Sequence, residues 1–141
     1  MTIKDLADRL SELGISENRY YLHGLYGSND DNEKLALIIK KGIYNIEYET
    51  YFCERGEKHS IRIFFNENEA CAYLYDKLVY EWLLFKVKKT DGLEGMTVNE
   101  RLYVSGLIDL FDKYKIKDRI IARQILLIIK VDKESIDNIL K

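Results

Sequence analysis

The segment from Glu67 to Val87 restricts the fold more than any other part of the chain. Asn66 and Glu69 form a capping box at its start. Behind them Cys71, Leu74, Leu78, Trp82 and Phe85 recur at helical spacing, and Ala72, Tyr75, Val79 and Leu83 run beside them as a second stripe. A helix that is apolar on two sides must bury both. The segment therefore needs a layer built from the residues before it and another from those after it. One side is expected to cover a sheet, and the other to meet the helices that follow, with Leu74, Leu78, Trp82 and Leu83 buried.

The residues before it read as a helix and then strands. Thr2 and Asp5 form a capping box, and Ile3, Leu6, Ala7, Leu10 and Leu13 make a helical stripe that stops at Gly14, a natural C-cap. From Tyr20 to Phe65 the period falls to two. YYLHGLY, KLALIIKKG, IYNIEYETYF and HSIRIFF read as strands separated by GSNDDNE, KKG and ERGEK. In the third, Tyr44, Ile46, Tyr48, Thr50 and Phe52 share one side, and Asn45, Glu47 and Glu49 the other. This predicts an antiparallel meander with one face packed and one wet. After the helix comes the loop TDGLEG, a capping box at Thr97 and Glu100, and helical patterns over about 98–114 and 118–130, with a short one capped by Asp132. The expected fold is α+β: an N-terminal helix, a four-stranded antiparallel meander, a long helix packed on the sheet and a C-terminal helical tail. Residues 1–90 form the first domain and 91–141 a module packed on the long helix.

Composition narrows the classes of function. A net charge of -2 gives no general attraction to nucleic acid. Cys53 and Cys71 do not make a disulfide framework. The opening MTIKDLADRL is charged and amphipathic, unlike a secretory leader, and the longest apolar run, Ile125 to Ile129, is far short of a bilayer span. A soluble cytoplasmic protein with no membrane partner is the expectation. Tyrosine is abundant, 11 residues against 5 Phe, and it suits half-buried sheet faces and interfaces.

No phosphate-cradling glycine loop, HExxH, zinc-type CxxC pair or GxSxG occurs. His23 and His59 lie on separate predicted strands; either could serve a small hydrolase or nucleic-acid-processing domain with a carboxylate, and either could be a surface strand residue. Cys71 falls on the apolar stripe of the long helix, where a core thiol is expected. Lys86, Lys88 and Lys89 complement the dipole at that helix's end. The carboxylates gather in the β half without the spacing of a metal site. The reading is thus of a binding protein with no catalytic residue, metal or cofactor. Its candidate partner-binding residues are Asp30, Asp31 and Glu33 in the polar loop, with Glu47, Glu49 and Tyr51 at period two on one side of a strand.

The stretches LGISENRYYLHGLYGSNDDNEKLALIIKKG and YETYFCERGEKHSIRIFFNENEACAYLYDKL resemble small bacterial immunity proteins of contact-dependent inhibition and polymorphic-toxin systems, with an ERG-type turn, a strand and an acidic EACxYxY helix start. MTVNERLYVSGLIDLFDKYK, with the short helices after it, resembles a C-terminal helical module carried by many such proteins. The resemblance implies a protein that binds a cognate toxin C-terminal domain, a nuclease being one candidate, and blocks its active or substrate-binding surface. It supplies no functional residues.

Overall fold

A computed structural model describes all residues from Met1 to Lys141, and the chain divides into two compact units, Met1–Leu78 and Val79–Lys141. The division falls within the long helix. No helix is long and apolar enough to cross a membrane.

The first unit opens with α1 (Ile3–Glu12). Thr2 Oγ1 accepts from the Asp5 N–H, and the Asp5 carboxylate accepts from the Thr2 N–H, so the expected capping box is closed in both directions. At the other end Gly14 sits at φ 76, and the Gly14 and Ile15 N–H groups reach back to Ser11 and Leu10. This left-handed turn satisfies carbonyls that the helix leaves free. Ile3, Leu6, Ala7 and Leu10 are buried along one side.

Five strands follow: β1 (Tyr20–Leu22), β2 (Tyr26–Gly27), β3 (Leu35–Lys41), β4 (Ile46–Glu54) and β5 (Glu57–Phe64). They form one sheet in the order β2-β1-β3-β4-β5. The α+β class is as expected, but the four-stranded antiparallel meander is not what forms. The YYLHGLY segment does not run as one strand: His23 and Gly24 take φ 51 and φ 72 and turn the chain after Leu22. Two consecutive positive φ values make a tight hairpin, and His tolerates this region better than most residues. The chain then crosses back through 28–34, so that β3 enters beside β1 in parallel, with Tyr20, Leu22 and Leu35 in register as Tyr20↔Leu35 and Leu22↔Leu37. The remaining pairings are antiparallel.

α2 (Glu67–Lys86) is the long helix anticipated from its two stripes. In the first unit its Tyr73 ring lies 5.4 Å from Phe64 of β5, and the Arg62 guanidinium sits 4.7 Å above that same ring. Ala70, Cys71, Leu74, Tyr75 and Leu78 are fully buried. Burial pushes the Cys71 thiol up to about 11, as for an inert core cysteine. In the second unit Val79 and Leu83 are buried, whereas Trp82 is half-buried beneath the Lys86 ammonium and Phe85 is exposed. The expectation of a buried Trp82 therefore does not hold.

The second unit continues with α3 (Val98–Val104), α4 (Ile108–Lys117), α5 (Arg119–Ile128) and α6 (Lys133–Ile139). The sequence pattern over 98–114 breaks at Gly106, whose φ of 77 ends α3. Asp118 both ends α4 and caps α5, accepting from the Ile120 and Ile121 N–H groups. Arg101 donates to the Met96, Ile129 and Lys130 carbonyls and so ties two loops together. Leu102, Leu107, Ile121, Ile125, Leu126, Ile129 and Ile136 form the buried interior.

Candidate functional site

The strand β4 carries the candidate site, and its two sides do not divide into packed and wet. On the side expected to be packed, Tyr44 is 96% and Ile46 53% exposed, and burial deepens only toward Thr50. On the side expected to be wet, Glu49 and Tyr51 are only 4% and 3% exposed. Ala36, Tyr51 and Cys53 form a small apolar cluster there, with Tyr21 and Ile38 packed against it. For Tyr51 the reason is coverage: the polar loop between β2 and β3 folds over this end of the sheet.

Hydrogen bonds fix that coverage. The Tyr51 hydroxyl donates to the Asp31 carboxylate at 2.6 Å. Burial, then the Asp31 hydrogen bond and charge, push the Tyr51 phenol far above its ordinary range. Glu33, held at φ 56, accepts from the Arg55 N–H at 2.9 Å, so the loop is pinned to the β4–β5 turn. Asp30 accepts from the Lys34 ammonium at 3.1 Å and from the Asn32 N–H. The lysine and that backbone donor hold its carboxyl below the usual range. Six candidate residues thus fall into two groups. Asp30 and Glu33 are exposed, and Asp31 and Glu47 are half-buried. Tyr51 lies beneath the loop, and Glu49 is buried farther along β4.

Glu49 is a buried carboxylate between two cations, with Lys58 Nζ at 2.6 Å and Lys40 Nζ at 2.9 Å. Burial alone would raise its pKa, but the hydrogen bonds and charges of Lys58 and Lys40 outweigh that and hold it below the ordinary glutamate value. The same Lys58 ammonium stands 4.6 Å over the Tyr51 ring. This ion cluster was not foreseen from the sequence. The signal was present as Lys40, Glu49 and Lys58, but only the strand register brings the three together.

The histidines are far apart. His23 Nδ1 accepts the Ile39 N–H at 3.0 Å, continuing the β1–β3 pairing past the end of β1. His59 is on β5, three strand spacings away, or ~14 Å. It lines an open hollow of about 430 Å³ with Glu54, Arg55 and Glu57. No three His, Cys, Asp or Glu side chains are grouped to hold a metal ion. What the surface offers chemically is an anchored loop carrying Asp30, Asp31 and Glu33, with Glu47 apart from it toward the other end of β4. The first unit carries fourteen acidic and ten basic side chains, and the second ten and twelve, so the charge excess of the acidic loop is shared by its whole unit. Comparisons of the chain with protein-family models, with curated proteins and with solved structures give no match.

Proposed function

We propose that this chain is an immunity protein, which binds a cognate toxin C-terminal domain in the cytoplasm and blocks its active or substrate-binding surface without a catalytic step of its own. The observation that carries the reading is the anchored acidic loop. Asp31 on Tyr51 and Glu33 on Arg55 hold the loop in place from the inside, leaving Asp30 and the outer edges of Asp31 and Glu33 facing solvent, while Glu47 stands toward the other end of β4. A loop ordered before binding loses less conformational freedom on association, and its fixed carboxylates steer a basic partner toward it. A toxin whose cleft binds phosphate would present such a basic surface. Tyr51 belongs to this site as the support beneath the loop, and Glu49 lies on the same side of β4 in its ion pairs with Lys40 and Lys58. The resemblance to immunity proteins points the same way.

The test is co-expression with the toxin domain encoded immediately upstream. Cells should survive, and the two proteins should elute together on size exclusion. Charge reversal at Asp30, Glu33 and Glu47, singly, should slow association and flatten its dependence on salt while leaving the fold intact. Cells that die despite folded protein would refute the function. Protection that survives all three reversals would refute the surface.

A further inference from the structure

The strand β5 ends the sheet on one side, and the opposite edge, β2, is only two residues long. All of β5 is exposed apart from half-buried Phe64. A long open edge invites another strand, and monomeric proteins blunt such edges with prolines, inward charges or bulges. Here the protection is confined to one half. Between the pairs Thr50↔Arg62 and Phe52↔His59, two residues of β5, Ser60 and Ile61, face the single residue Tyr51, and Ser60 takes φ 53. This bulge separates Glu57, Lys58 and His59 from the half Ile61 to Phe64, which is apolar except for Arg62. The chain has no proline to guard that second half. Its one charge, Arg62, is turned onto the Phe64 and Tyr73 rings.

We infer that this half of β5 pairs antiparallel with β5 of a second copy of the chain, about a twofold axis at Ile63, joining the two sheets edge to edge. The reason for a second copy is that the strand is complementary to itself in this register. Ile63 meets Ile63 and Arg62 meets Phe64, so that no like charges are opposed, and Ile61 reaches the partner chain just past the end of its β5. Ile61 and Ile63 are 51% and 48% exposed and share one side of β5 at period two, so that in this register the isoleucines of the two copies meet on that side. Arg62 already stacks on Phe64 of its own strand, so the same cation–π geometry is available across the axis. The inference does not depend on the toxin-binding reading.

Sedimentation of the full chain over a wide concentration range tests it. Wild type should show a reversible monomer–dimer equilibrium. Ile63→Lys places two ammonium groups face to face at the axis and should weaken dimerisation more than tenfold. Ile43→Lys, at a residue 91% exposed outside β5, should leave it unchanged. Because Cys53 and Cys71 are buried, Ile63→Cys adds a single accessible thiol per chain. A short bis-maleimide should link Ile63→Cys into a covalent dimer and leave Ile43→Cys monomeric. If Ile63→Lys fails to fold, this cross-link decides alone. A chain that stays monomeric at every concentration overturns the inference, and so does a dimer that neither responds to Ile63→Lys nor cross-links through residue 63.

Discussion

Replacing Tyr51 by Phe tests the anchoring of the acidic loop with the least disturbance. Phe fills the same space within the cluster of Ala36 and Cys53, and the only loss is the hydroxyl that donates to Asp31 at 2.6 Å. A hydrogen bond to a charged group contributes ~1.5–3 kcal/mol when buried. Asp31 is only half-buried and regains water when the donor is gone, so the expected loss is about 1–2 kcal/mol. Its pH dependence has a definite sign. The folded phenol is held above its ordinary value, so the unfolded chain ionises Tyr51 first, from about pH 10. The stabilisation is complete below that pH and is lost as the pH climbs toward the folded value. Urea unfolding followed by circular dichroism should therefore separate the two proteins near neutrality and bring them together in strong alkali. Hydrogen exchange should quicken in 28–34 and not in α5. Equal stability at neutral pH, or a gap that persists in alkali, would refute the claim that this bond holds the loop.

Two further outcomes are expected. Glu49→Gln removes the charge that Lys40 and Lys58 share; because both lysines reach solvent and can rehydrate, the loss near neutral pH should be only about 1–2 kcal/mol. Since the folded Glu49 carboxyl titrates below its unfolded value, that gap should close as the pH falls through the folded value, and a urea series at acid pH that leaves it open would sink the assignment. Lys130 takes φ 65 just past α5, with its N–H and that of Val131 reaching back to Leu127 and Leu126. Glycine has no Cβ to strain in this conformation, so Lys130→Gly should stabilise the second unit by about 0.5–1 kcal/mol, read as a raised melting temperature, and a lowered one would count against the cap.

The sequence determined the features that local chemistry controls. Thr2, Asn66, Thr97, Asp118 and Asp132 mark helix starts because their side chains can satisfy amide groups a few residues away, without help from the rest of the chain. Gly14 ends α1 for an equally local reason, and the α+β class follows from where the apolar period changes. A local signal was also there for the turn at His23 and Gly24, the glycine that interrupts the apolar residues of YYLHGLY.

What only the tertiary structure decided depends on contacts between residues distant in sequence. Period two says that Glu47, Glu49 and Tyr51 share a side of β4, but not which side is covered, since both sides can be. Once the turn at His23 sends the chain back to lay β3 parallel to β1, the loop at 28–34 is left over the end of the sheet. Asp31 then meets Tyr51, and a residue on the side that read as wet becomes the floor beneath the acidic loop. Lys40, Glu49 and Lys58 likewise become one ion cluster only through the pairing of three strands. Burial and ion pairing are properties of the assembled sheet, because the dielectric and the neighbours that set them do not exist along the chain.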